Sequence, residues 1–170
     1  MNFNRATLNQ AHLEDADLSN TNLKGVSFRE ANLTRVNFLG SNLNGADLSF
    51  AFLFKTNLRG TQTQGAVFAN AKFQDMDLAN MDLSGLNLSG SYLWEANLSG
   101  TDLTGANLIK AFMIRASFLD TVLVDADLTG ANIGSNSNFA TAKLDRAKLT
   151  HLSLAGCECE GVNFQGIDLR

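Results

Sequence analysis

Large apolar residues recur along this chain every five positions. From Leu8 the series runs Leu13, Leu18, Leu23, Phe28, Leu33, Phe38, Leu43 and Leu48, and it continues with few exceptions to Ile133. Two positions before each of these centres stands a small side chain, as at Ala11, Ala16, Thr21, Ala31, Ser41, Ala46 and Ala51. The position just before is mostly Asp or Asn, as at Asp17, Asn22, Asn32, Asn37, Asn42 and Asp47, and the positions just after are Ser, Thr, Gly or charged. A helix repeats its apolar face every 3.6 residues and a strand every 2.0, so neither explains a period of five. A short inward-facing segment followed by a turn does. Asp, Asn and Gly make turns inexpensive, because they tolerate unusual backbone angles and hydrogen-bond locally. The pattern therefore predicts a chain that turns a corner every five residues and coils around its own core, with the centre and the small residue two before it both facing in. The absence of proline suits stacked coils, which need a backbone N–H at nearly every position.

The segments "ADLSN", "ANLTR", "ADLSF", "ANLSG", "TDLTG", "ANLIK" and "ADLTG" resemble the pentapeptide repeat family over essentially the whole chain. The resemblance implies an all-β fold, a right-handed quadrilateral parallel β-helix in which four repeats make one square coil. Four-sidedness is implied by the resemblance, not by the period. On that basis the 170 residues form a single domain, 1–170, of about eight coils, a rod roughly 40 Å long at about 4.8 Å per coil.

The register slips once. After Ile133 the next centre is Phe139, six residues on, and Leu144, Leu149, Leu154, Cys159, Phe164 and Leu169 then resume the period. The segment 134–138, "GSNSN", thus holds one extra residue and reads as a bulge or enlarged corner. A second irregularity lies in the core pattern. Met76, Met81 and Leu86 take three successive positions normally given to Ala, Ser or Thr, and Thr63 takes a centre. Long flexible side chains beside a missing leucine are expected to fill the gap and keep the core packed.

Composition adds bounds. An apolar fraction of 45% is ordinary for a globular chain, and a net charge of -4 is too mild to call for a nucleic acid or a charged membrane as partner. No apolar run is long enough to span a bilayer and the N-terminus does not read as a secretory leader, so a cytoplasmic protein is expected. Cys157 and Cys159 are the only cysteines. Two residues apart, they are poorly placed for a loop-closing disulfide and read as buried structural cysteines on the two inward positions of one repeat. Together with His151 they could be imagined as a metal site, but His151 falls on an outward position. His12 and His151 lie at opposite ends of the rod, and the glycine-containing runs open no helix that could hold a phosphate. The expectation is a non-enzymatic protein without cofactor.

Folding the numbering by twenty exposes a surface pattern. The residue before the centre on one side of the square runs His12, Asn32, Phe52, Lys72, Tyr92, Phe112, and the residue after it runs Glu14, Thr34, Phe54, Gln74, Trp94, Ile114. Phe52, Phe54, Tyr92, Trp94, Phe112 and Ile114 thus share one face, with Phe50 at the adjacent corner and Lys72 placed for a cation–π contact. Ile109, Ile114, Leu119 and Val124 add a ring of apolar residues on four successive sides. This stripe reads either as a ladder that stiffens the rod or as a protein-binding patch, and contiguous exposed apolar surface rimmed by charge favours the patch. The expected function is a protein-interaction or regulatory module. The family resemblance supplies an alternative, since one branch imitates a DNA duplex, binds DNA gyrase and protects it from inhibitors. Here, though, the acids are interspersed with Arg35, Lys55, Arg59, Lys72, Arg115, Lys143, Arg146 and Lys148. A purely structural spacer is the third reading. Many family members, notably in cyanobacteria, have no assigned activity. Uncovered coil ends suggest in addition a weak homodimer through one end.

Overall fold

The computed structural model describes residues 1–134, 136–167 and 170; Ser135 of the insertion and the expected centre Leu169 lie outside the described residues. Each five-residue repeat forms one short side followed by a corner. Up to the insertion, the residue before most centres makes a parallel β-bridge to the residue twenty positions on, as in Asn2↔Asn22, Asn32↔Phe52 and Asn87↔Asn107. Four sides per coil follow directly from that spacing. Stacking uses two alternating sets of bonds: the centre N–H donates to the carbonyl nineteen residues on, as from Leu23 to Asn42 at 2.9 Å, and the residue before a centre donates twenty-one residues back, as from Asn42 to Thr21 at 3.0 Å.

The corners explain the polar half of the repeat. The residue two after each centre has positive φ, between 51° and 69° from Arg5 to Gly130, the left-handed region that favours Gly, Asn and Asp. The carbonyl of the centre accepts the N–H three residues on, as from Ala46 to Leu43 at 2.9 Å, which closes the turn type that demands a left-handed third residue. The Asp or Asn before the centre anchors the same corner, its side-chain oxygen accepting the N–H two residues on: Asp17 from Ser19 at 3.0 Å, Asp102 from Thr104 at 2.9 Å. Asparagines also bond from coil to coil, Asn37 to Asp17 at 3.1 Å and Asn57 to Asn37 at 2.9 Å.

The centres and the small residues two before them form one continuous core, from Leu18 to Leu149. Three phenylalanine pairs pack within it, Phe28–Phe38 and Phe118–Phe139 edge to face and Phe68–Phe73 tilted. Inward threonines donate their hydroxyls to main-chain carbonyls of the preceding coil, Thr56 to Leu33, Thr101 to Leu78 and Thr121 to Leu98 at 2.7–2.8 Å. The insertion shifts the bridges from twenty residues to twenty-one, Ser117↔Asn138 and Val122↔Lys143, and the buried Ser137 hydroxyl donates to the carbonyls of Met113 and Gly134 at 3.1 Å. One extra residue is thereby absorbed at a corner without breaking the stack.

Two expectations are corrected. Cys157 and Cys159 are not free buried thiols: they are joined in a disulfide and half-buried, their Cα atoms 5.7 Å apart. Because they occupy both inward positions of one repeat, their side chains converge on the same part of the core, within the normal Cα span of such a bond. The second correction concerns Thr63, Met76, Met81 and Leu86. Met76 and Leu86 are buried, but Met81 is only half-buried, and the coils part at this level. The bridges Asn57↔Asp77 and Gln62↔Asp82 that the period calls for do not form, while Phe52↔Lys72 and Val67↔Asn87 on either side do. At this level Thr63 stands in place of a central leucine, Met81 packs only partly against the core, and the ladder between the two coils is interrupted.

Candidate functional site

The face whose centres are Leu33, Leu53, Phe73, Leu93 and Met113 carries the stripe. Alternation places it outside: each centre points into the core and is buried, so its two neighbours point to solvent. Phe52 is 49% exposed, Trp94 48%, Phe50 43%, Phe112 41% and Phe54 39%. Tyr92 and Ile114 are half-buried. All seven residues expected from the sequence therefore reach the surface on one side of the rod.

They divide into two groups by what they touch. Tyr92 is sandwiched within the stack: its ring lies 4.9 Å from that of Phe112 at an interplanar angle of 15°, and the Lys72 Nζ sits 3.2 Å from its centroid. The bridges Phe52↔Lys72, Lys72↔Tyr92 and Tyr92↔Phe112 hold these side chains one above another. Phe54 and Phe50 each carry one cation at their ring, Lys55 Nζ at 5.1 Å and the Arg29 guanidinium at 5.7 Å. Phe52 and Trp94 have neither a ring partner nor a cation among the described residues. The exposed, uncommitted rings are thus Phe52 and Trp94, on either side of the Lys72 position.

Phe50 departs from the local rule in another way. It holds φ at +62°, a conformation costly for a bulky side chain, at a corner where other coils place Glu30, Asn70, Gly90, Lys110 and Gly130. A large aromatic kept in a left-handed corner is not explained by the fold's own needs.

Charge frames the stripe in balanced pairs. Along the next corner, Arg35 clamps Asp15 with two hydrogen bonds of 2.6 Å, and Arg115 meets Glu95 at 2.9 Å. The Arg35 hydrogen bonds hold the Asp15 carboxyl below the usual aspartate range. On the other flank Arg29 bonds Asp47 at 3.0 Å. Burial pushes the Asp47 carboxyl up, but hydrogen bonds from Ser49 and Arg29 outweigh it and hold it low. Arg59–Asp77, Arg146–Asp125 and Lys148–Asp127 continue the coil-to-coil pairing elsewhere. The flanks of the stripe are thus charge-paired from coil to coil, while Lys55 and Lys72 at the rings take part in no ion pair among the described residues.

Sequence reasoning missed two neighbours, Leu39 and Arg29. Leu39, 46% exposed, stands on the adjacent face in the same column as Leu119 eighty residues on, and its periodicity was available. The contact of Arg29 with Phe50 crosses a corner, and no spacing rule points to it. Neither cysteine can serve as a metal ligand while the two are bonded to each other.

Comparison with known proteins agrees with this architecture. The family model for pentapeptide repeats matches residues 2–38, 21–60, 64–100, 96–133 and 135–170, with eight copies. HetL, a pentapeptide repeat protein involved in heterocyst differentiation regulation from the cyanobacterium Nostoc sp. strain PCC 7120, is 28% identical and superposes with a TM-score of 0.89, over 98% of this chain and 75% of its own. Trypsin-treated QnrB1, a plasmid-mediated fluoroquinolone resistance protein, is 18% identical over 96% of this chain and 85% of its own, at a TM-score of 0.46. Rfr23 from the cyanobacterium Cyanothece 51142 is 23% identical over 74% of this chain and 86% of its own, at 0.37. The last two superpose too loosely to carry an argument. No curated protein matches the chain significantly.

Proposed function

Because this chain belongs to the pentapeptide repeat family, whose repeats span it from residue 2 to residue 170, we propose that it is a non-enzymatic docking module that presents its aromatic face to a protein partner. One observation carries the reading: Phe52 and Trp94 are about half exposed, on a rigid scaffold, with no aromatic or cationic partner among the described residues. Large uncommitted rings on a stiff surface lose little conformational entropy on binding and are common anchors of protein interfaces. The involvement of HetL in heterocyst differentiation regulation agrees with such a module and suggests that this chain also regulates by contact.

The gyrase reading has less support. A DNA mimic needs a run of unpaired negative charge, whereas here Asp15, Asp47, Asp77, Glu95, Asp125 and Asp127 are each matched by an Arg or Lys of a neighbouring coil. The spacer reading draws on the Lys72–Tyr92–Phe112 stack, which satisfies itself. Single substitutions separate docking from spacing. Trp94→Ser is expected to abolish capture of the partner from native cells while leaving the circular dichroism spectrum unchanged, and Tyr92→Asn to lower the melting temperature. Undiminished capture by the Trp94→Ser protein would leave only the spacer.

A further inference from the structure

The parted coils are a site in their own right. The stacking ladder is regular up to Leu53, whose N–H donates to the Lys72 carbonyl at 2.9 Å. Beyond it the N–H groups of Leu58, Gly60, Thr63 and Gly65 on the lower coil, and of Asp77 and Asp82 on the upper, lack the coil-to-coil partners that the period assigns them. The equivalent lower-coil positions two coils on are paired, Leu98 to Ser117 at 2.9 Å, Gly100 to Leu119 at 2.8 Å, Leu103 to Val122 at 2.8 Å and Gly105 to Val124 at 2.8 Å. In place of the ladder, a long contact of 3.4 Å runs from the Thr63 hydroxyl to the Asp82 carbonyl. Two open grooves of about 490 and 520 Å³ occupy the gap and share Thr61 and Asp82.

Each lip of this seam leaves main-chain donors and acceptors unpaired in the middle of the rod, on two short sides that meet at the Gly60 corner. Such edges are templates for an added strand. The charge at the seam is also unbalanced. Asp77 is tied to Arg59 at 3.0 Å, but Asp82, exposed and common to both grooves, takes part in no ion pair among the described residues; its carboxylate accepts only the Ser84 N–H and hydroxyl, at 3.0 and 2.6 Å. We propose that the seam between residues 56–65 and 76–85 docks an extended peptide segment of a partner protein, paired through its main chain to the open edges, with a Lys or Arg side chain on Asp82. Thr63 lines one groove and Met81 the other, and Met81, half-buried, supplies an adaptable apolar contact. The site is separate from the aromatic face, and its test does not depend on that face.

Two probes test it, the labelled peptides GTVKTVG and GTVETVG, with amide hydrogen exchange as the readout. In the free protein the amides of Leu58, Gly60, Thr63, Gly65, Asp77 and Asp82 are expected to exchange about a hundredfold or more faster than those of Leu98, Gly100, Leu103 and Gly105. The lysine peptide is expected to slow the seam amides and to bind about tenfold more tightly than the glutamate peptide by fluorescence polarisation, a preference that Asp82→Asn abolishes. A variant with Thr63→Leu, Met76→Ala, Met81→Thr and Leu86→Ala restores the ordinary inward residues and is expected to close the seam, protect its amides and lose peptide binding. Slow exchange of the seam amides in the free wild-type protein overturns the proposal. So does equal protection by both peptides, or protection by neither at millimolar concentration.

Discussion

Two buried hydroxyls at equivalent inward positions, two residues before their centres, should respond in opposite directions when they are removed. Ser91 and Thr101 are both fully buried. Thr101 Oγ1 donates to the Leu78 carbonyl at 2.8 Å, whereas Ser91 Oγ has no partner among the described residues. Burying a hydroxyl without a bond costs about 1–3 kcal/mol. Removing it by Ser91→Ala recovers that cost and leaves an oxygen-sized void of roughly 10–15 Å³, which at about 24 cal/mol per Å³ takes back about 0.3 kcal/mol. The net is a gain of about 0.7 kcal/mol or more. Thr101→Val keeps the shape and loses one bond, a cost of about 0.5–1.5 kcal/mol. It stays in that range because the Leu78 carbonyl still accepts the Met81 N–H at 3.2 Å. For a chain of this length each kcal/mol moves the melting temperature by about 2–4 °C. Urea titration at unchanged slope should therefore raise the midpoint for Ser91→Ala and lower it for Thr101→Val. A lower midpoint for Ser91→Ala would refute the claim that its hydroxyl is unsatisfied.

Further outcomes follow from the same geometry. Leu103→Ala, at a centre with no exposure, should cost about 2–5 kcal/mol, whereas Ser99→Ala, at a half-buried outward position whose hydroxyl lies 2.9 Å from that of Ser117, should cost no more than about 0.5–1.5 kcal/mol; denaturant melts with the reverse ranking would end the inward and outward assignment. Tyr92→Asn removes a ring stacked on Phe112 and capped by Lys72, so it should lower stability by about 1–2 kcal/mol, and a loss below about 0.3 kcal/mol in the same melts would dissolve the ladder. Acid should destabilise late. A hydrogen bond from the Ala79 N–H holds the Asp77 carboxyl, and hydrogen bonds from Ser84 hold that of Asp82, below the ordinary aspartate value of 3.8. A folded value below the unfolded one means that this stabilisation is present above the unfolded value and is lost as the pH falls through the folded one. Melting temperature should thus hold between about pH 8 and 5 and decline below about pH 4, and a decline already under way at about pH 6 would assign it to other groups.

The five-residue period was enough to separate inside from outside, because a single centre per side leaves no choice of which residue is buried. Leu23, Leu53 and Leu103 illustrate it, each without exposure. Period alone did not say how many sides close a coil; that came by resemblance and is now visible in bridges twenty residues apart. The aromatic face was legible for the same reason, since residues twenty apart must stack. Which rings are spoken for was not legible, because Tyr92 meets Lys72 and Phe112 through rotamers, not through spacing. The seam marks the deeper limit. Met76, Met81 and Leu86 stood out in the sequence, but whether they fill a gap or force one depends on the summed volume of several coils against the strength of the ladder between them. The same holds for Cys157 and Cys159, whose closeness in sequence hid the convergence of two inward positions in one repeat.

The central claim, that the exposed rings and not the rod alone carry the function, is tested most directly by affinity capture from native cells with wild-type and Trp94→Ser proteins in parallel, quantified by mass spectrometry. Trp94 is 48% exposed and stacks on no ring among the described residues. The account therefore predicts an unchanged circular dichroism spectrum, a smaller drop in melting temperature than Leu103→Ala gives, and loss of the proteins that wild type recovers. Equal recovery by a folded Trp94→Ser protein would contradict it.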